Sequence, residues 1–66
     1  MNVIINGNRE DIPDGLTISD LVKSYNLAPS RIAIELNLKI LPKRSYDITE
    51  IKDGDKIEIV HFVGGG

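Results

Sequence analysis

The stretch Asp53-Gly54-Asp55-Lys56-Ile57-Glu58-Ile59-Val60-His61-Phe62-Val63-Gly64-Gly65-Gly66 holds a turn, a strand and a tail in succession. Asp-Gly-Asp is tight-turn chemistry, since glycine takes positive φ without steric cost and the flanking aspartates bond to nearby backbone. The next eight residues, 56–63, alternate at Ile57, Glu58 and Ile59 and then become apolar on both faces, the pattern of a strand that leaves the turn half-buried. This strand runs without a break into three consecutive glycines. Residues 63–66 are expected to form a flexible tail, because Gly64 to Gly66 carry no Cβ and restrict the chain least.

Upstream, Asn2 to Asn6 is short and β-branched, Asn6-Gly7 suits a two-residue turn, and Arg9 to Ile12 can return as the second arm of a hairpin. Pro13-Asp14-Gly15 is a turn. Thr17 with Asp20 three residues later forms a capping-box variant, and Leu16 with Leu21 fits a hydrophobic staple. A helix is therefore predicted from Ile18, with Ile18, Leu21, Val22 and Tyr25 on one buried stripe, ended by Asn26 and Pro29. Ile32 to Leu36 alternates as a third strand. Its Ile32, Ile34 and Leu36 point to the core, Ala33 and Glu35 point away, and Asn37 leaves the strand. Lys39 to Leu41 suits a short strand stopped by Pro42, and 43–51 reads as a surface connection with one helical turn. Hairpin, helix and further strands in this order fit an α+β domain in two layers. The expected architecture is a β-grasp fold, a mixed sheet of four to five strands with one main helix on one face. A single domain spans 1–66, and Val3, Ile5, Ile32, Ile34, Leu36, Ile57 and Ile59 line its sheet core.

Size and composition exclude much. A chain of 66 residues buries only about 60% of the surface its unfolded form exposes, too little for a deep catalytic pocket. With no cysteine, disulfides, thiolate metal sites and cysteine nucleophiles are absent. The one histidine, His61, has no second residue at triad or metal spacing and reads as a half-buried strand-end residue. Asp53 and Asp55 lack the further ligands of a calcium loop and keep the turn role. Lys43, Arg44 and Lys52 read as solvated charges, and a formal net charge of −2 carries none of the basic stripe of a nucleic-acid binder. The start shows no basic, apolar signal pattern and no stretch is long enough to span a membrane, so a cytoplasmic protein is expected.

Two features remain in which chemistry can reside. Gly66 ends the tail in a carboxylate, ionised at neutral pH, which can attack the α-phosphate of ATP held by a partner enzyme and leave as an acyl-adenylate. Without cysteine, a carried sulfur atom can sit only at that terminus, as a thiocarboxylate. The competing reading is a frayed or added glycine end. The second feature is the strand face opposite Ile57 and Ile59. Glu58, Val60 and Phe62 lie there, and Ile4 joins them if the first strand runs beside the last. That face is either a protein-docking surface anchored by the single phenylalanine or a second face covered by loops.

The segment Glu35-Leu36-Asn37, then Pro42 followed by basic residues, Tyr46, and finally the DGD turn, apolar strand and terminal Gly-Gly resembles the ubiquitin-like sulfur carriers, and among them the ThiS family of thiamine thiazole biosynthesis. Nearly the whole chain takes part in the resemblance, and the Asn6-Gly7 turn agrees with it. Lys43 stands where many relatives carry Arg, so no specific role is carried over to it or to Arg44. The resemblance implies a carrier that is not itself an enzyme and binds no cofactor. The Gly66 carboxylate would be adenylated by a ThiF-type, E1-like enzyme at the expense of ATP. It would then become a thiocarboxylate with sulfur supplied through a cysteine desulfurase, and pass that sulfur to a ThiG-type thiazole synthase. Gly65, Gly64 and Val63 would thread into partner active sites, and Phe62, Val60, Glu58 and Ile4 would form the docking face. A molybdopterin synthase small subunit shares this chemistry with another acceptor, and a ubiquitin-like protein modifier shares the tail. The free protein is expected to be a monomer, because a carrier that visits several enzymes needs transient interfaces.

Overall fold

In the computed structural model, residues 1–62 are described. They fold as β1 (Asn2–Ile5), β2 (Asn8–Asp11), α1 (Ile18–Ser24), β3 (Ile32–Leu36), β4 (Lys39–Leu41) and β5 (Lys56–His61), with single 3₁₀ turns at Pro29–Arg31 and Lys43–Ser45. The sheet has five strands in the order β2-β1-β5-β3-β4. β1 runs parallel to β5, and the other neighbours are antiparallel. Helix α1 supplies Ile18, Leu21 and Val22 to a core shared with Val3, Ile5, Ile32, Ile34 and Ile57. This is the β-grasp arrangement expected from the order of the elements.

Both tight hairpins turn on asparagine. Asn6 and Gly7 have φ of 49° and 82°, and Asn37 and Leu38 have φ of 53° and 71°, the paired positive values of two-residue turns that match strand twist. At Leu38 no glycine relieves the left-handed conformation, which costs a branched aliphatic side chain more than it costs Asn. Asn37 compensates with its side chain, donating to Asp55 Oδ1 at 3.0 Å and accepting from Lys56 N at 2.9 Å. The Asp53-Gly54-Asp55 turn keeps its structural role. Asp53 Oδ1 accepts from Asn2 N and Asp55 Oδ2 from Lys52 N, both at 2.8 Å.

The helix starts as its capping signals predict. Thr17 Oγ1 accepts from Asp20 N at 3.2 Å, and Asp20 Oδ2 accepts from Thr17 N at 3.0 Å. At the other end Asn26 takes a φ of 56° and stops it. Tyr25 departs from expectation. It is the C-cap and stays 43% exposed.

The segment 43–51 differs most from its reading as a surface connection. Tyr46 and Ile51 are fully inside the core. The segment also satisfies the helix N-terminus: Ile18 N donates to Thr49 O at 2.9 Å and Ser19 N to Tyr46 O at 3.1 Å, two of the donors that a helix leaves without intrahelical partners. Ser19 Oγ further bonds Asp47 Oδ1. Isolated apolar residues in a charged stretch showed no periodicity from which this could be read. Leu36 and Ile59, expected inside, are only partly buried, and the second hairpin arm is Asn8–Asp11 in place of 9–12.

Tyr46 carries an uncompensated polar atom. Burial lifts its phenol above the ordinary value, an effect the Ile34 backbone partly offsets, yet its Oη makes no hydrogen bond of normal geometry. Removing that oxygen removes a desolvation cost without orphaning a partner. Tyr46→Phe is therefore expected to leave the urea midpoint unchanged or raise it. Thr17→Ala, by contrast, should cost about 1 kcal/mol, seen as a fall in Tm of about 4–8 °C for a domain this size. Asp20 is held below its usual carboxylate value of 3.8, chiefly by the Thr17 backbone N–H and then by the Thr17 hydroxyl. A lowered folded-state value contributes stability that is present above the unfolded value and lost as pH falls through the folded one. The acid limb of Tm against pH below about 4 should thus be shallower in Asp20→Asn than in the unsubstituted protein.

Candidate functional site

β5 is the middle strand of the sheet, and its pleat presents two different surfaces. Ile57 faces the helix and is fully buried. Glu58, Val60 and Phe62 face the other way, and all three are exposed. Val60 and Phe62 each keep 49% of their surface in solvent. β1 lies beside β5 in parallel register, Ile4 with Lys56 and Ile5 with Ile57, so Ile4 joins this outer face at 37% exposure. The four residues expected on a docking surface are therefore together on one side of the sheet. Among the described residues, no helix or loop covers them.

Three neighbours that the sequence reading did not select complete the face. Ala33 pairs with Val60, Glu35 with Glu58, and Ile40 with Glu35. Ile40 is 79% exposed, an apolar side chain in solvent on an edge strand. The outward parity of Ala33 and Glu35 was legible, but the position of Ile40 depends on how β4 registers against β3. The centre of the face is acidic. Glu35 and Glu58 stand directly opposite each other, an arrangement that is unfavourable between like charges. Among the described residues the ion pairs join only the Met1 ammonium to Asp11 and Asp14, so no cation of the fold answers these two carboxylates. An apolar patch with an unanswered acidic centre is suited to a protein surface that brings aliphatic groups and a basic side chain.

Two sets of bonds fix β5 where the strand ends. On the β3 side, Phe62 N donates to Arg31 O at 2.8 Å. On the β1 side, Asn6 N donates to Ile57 O at 2.9 Å, and beyond it the Asn6 side chain reaches Ile59, accepting from its N at 2.7 Å and donating to its O at 3.3 Å. His61 shares the parity of Ile57 and pairs with Ile32. It is exposed rather than half-buried, although its cross-strand partner Ile32 is fully buried. The expected sulfur attachment point Gly66 and the tail residues Gly65, Gly64 and Val63 lie outside the described residues; the strand expected over 56–63 ends at His61, with Phe62 following it outside the strand. Lys43, Arg44 and Lys52 are exposed. Among the described residues no group of acidic and histidine side chains is placed to hold a metal ion, and no helix is long and apolar enough to cross a membrane.

Comparison with known proteins bears on this arrangement. The ThiS family model matches residues 3–66. A thiazole synthase from Paramagnetospirillum magneticum is 39% identical over 66 residues, 100% of this chain and 20% of that protein. The sulfur carrier protein ThiS of Bacillus subtilis is 50% identical over 50 residues, 76% of each chain. The crystal structure of a thiamine biosynthesis protein (ThiS) from Geobacter metallireducens matches with a TM-score of 0.85 at 32% identity, covering 100% of both chains. The chain thus spans about a fifth of the length of the thiazole synthases it matches.

Because Val60 and Phe62 lie outside the core, their replacement should spare the fold. Val60→Thr and Phe62→Ala are each expected to change the unfolding free energy by about 0.5 kcal/mol or less, measured by urea denaturation followed by circular dichroism.

Proposed function

The chain belongs to the ThiS family, and from that premise we propose that it is a sulfur carrier for thiamine thiazole formation, acting through the Gly66 carboxylate. The observation that carries the reading is the connection of the site: the central strand β5 bears the exposed Val60 and Phe62 and continues in sequence directly into Val63-Gly64-Gly65-Gly66. A partner that docks on the outer face has the terminal carboxylate four residues from Phe62.

The chemistry follows from the carboxylate. One Gly66 oxygen attacks the α-phosphate of ATP on a ThiF-type activating enzyme, pyrophosphate leaves, and an acyl-adenylate forms. The terminal sulfur of a persulfide formed by a cysteine desulfurase then displaces AMP to give an acyl disulfide. A thiol reductant cleaves its S–S bond, releasing the thiocarboxylate and leaving the two electrons on the cysteine that bore the persulfide and on the thiocarboxylate sulfur. A ThiG-type thiazole synthase accepts that sulfur, and in the thiazole synthases matched here a region like this chain is part of the same polypeptide. On this reading the protein is a co-substrate and not an enzyme, holds no cofactor of its own, and works as a monomer in the cytoplasm. Val63, Gly64 and Gly65 enter the partner active sites, where the absence of side chains on the glycines allows close passage. Ile4, Glu58, Val60 and Phe62 form the docking face.

Intact-mass measurement after incubation with a ThiF-type enzyme, ATP and a sulfide source tests this. A gain equal to exchange of one oxygen for sulfur is expected, and it should be absent when Gly66 is deleted. Phe62→Ala should form the same product with a KM for the carrier raised roughly fivefold or more, in line with loss of an interface anchor. No mass change in the unsubstituted protein would overturn the reading. Covalent attachment to lysines of other proteins would replace it with a protein modifier, and turnover with a molybdopterin synthase large subunit would redirect it to that acceptor.

A further inference from the structure

β1 stops at Ile5, but β5 continues to His61. Past Ile57 the middle strand therefore has no strand beside it on the β1 side, and the turn at Asn6 must end its pairing. The backbone of Asn6 turns away with φ of 49°, yet its side-chain amide remains in the plane of the sheet and bonds both the N–H and the C=O of Ile59 at 2.7 and 3.3 Å. A carboxamide has the same donor and acceptor as a peptide unit. Asn6 thereby supplies one more rung of the parallel ladder without any further strand.

We propose that Asn6 is a positioning residue for the end of the central strand, its side-chain amide holding β5 in line through Ile59 so that Val60 to Phe62 leave the sheet in one fixed direction. The inference rests on the proposed carrier function and adds to it a residue outside both the tail and the docking face. Among the described residues, the exit of the strand is held beyond the Asn6 bonds from the β3 side alone, through bonds such as Phe62 N to Arg31 O. A strand anchored on one edge swings about that edge. With the amide in place, the outer face at Val60 to Phe62 keeps one geometry before any partner arrives, and less ordering remains for binding to impose.

Asn6→Gly keeps the positive φ at no steric cost and deletes the amide, so it separates the clamp from the turn. Asn6→Asp keeps the acceptor for Ile59 N and loses the donor. Thr17→Ala serves as a control that weakens the fold at the opposite end of the core. Two readouts are taken on fully folded protein. Backbone NMR order parameters at Val60, His61 and Phe62 are expected to fall in Asn6→Gly, fall less in Asn6→Asp, and stay unchanged in Thr17→Ala. In adenylation assays with a ThiF-type enzyme and ATP, Asn6→Gly is expected to raise KM for the carrier about threefold to tenfold with kcat nearly unchanged, the signature of lost preorganisation.

Unchanged order at Val60 to Phe62 in Asn6→Gly overturns the inference, whether or not the unsubstituted chain is adenylated. Lowered order with an unchanged KM overturns it too, and leaves Asn6 as a brace of the sheet. Lowered order combined with no adenylation of the unsubstituted chain overturns the proposed function, while the clamp itself stands.

Discussion

The parallel pairing of β1 with β5 is the constraint on which the remaining structure hangs. It sets the two most distant strands of the sequence side by side, and because they run in the same direction, no short hairpin can join them. The intervening chain must cross from one end of the sheet to the other, and α1 makes that crossing while covering one face. With a single helix of seven residues, only one face and only part of its length can be covered. Val3, Ile5, Ile32, Ile34 and Ile57 are buried with the helix residues Ile18, Leu21 and Val22. On the same face of β5, Ile59 is partly buried and His61 is in solvent.

From that economy the functional surface follows. A chain of this length has no second layer to place over the outer face, so every outward residue of the central strands meets water. Most such positions on the sheet edges are polar, as in the wholly exposed β2 with its Asn-Arg-Glu-Asp sequence, which protects that edge from adventitious pairing. The outer face around Glu35 and Glu58 is not treated this way. Ile4 and Val60 on the inner strands, with Ile40 on the edge strand β4, surround these facing carboxylates, an arrangement that adds nothing to the stability of the isolated domain. Apolar groups left in solvent around an unanswered charge suit a protein surface that supplies the complement, and the strand that displays Val60 is the central one of the sheet.

Much of this was legible from local chemistry. The turn at Asn6-Gly7, the capping box of Thr17 and Asp20, the alternation of 32–36 and the DGD turn each depend on interactions between near neighbours, so each reads correctly in isolation. The resemblance of the chain's second half and terminal Gly-Gly to the sulfur carriers agreed with that reading. What failed was non-local. Tyr46 and Ile51 looked like scattered apolar residues of a connection, but the backbone carbonyls around them satisfy the first donors of α1, a partnership across about thirty residues of sequence that no periodicity announces. Tyr25 fell on the helical stripe yet lies exposed, since a stripe is buried only as far as the sheet beneath it extends.

By itself the sequence determined the identity of the elements and the side of each strand that is apolar, because propensity and alternation are properties of adjacent residues. Only the tertiary structure decided which strands are neighbours. That choice placed β5 in the centre, brought Ala33, Glu35 and Ile40 into the patch around Val60, and set the Asn6 amide against Ile59. Register is a relation between segments far apart in the chain, fixed by the joint burial of a whole face, and it exists only once all the strands have paired.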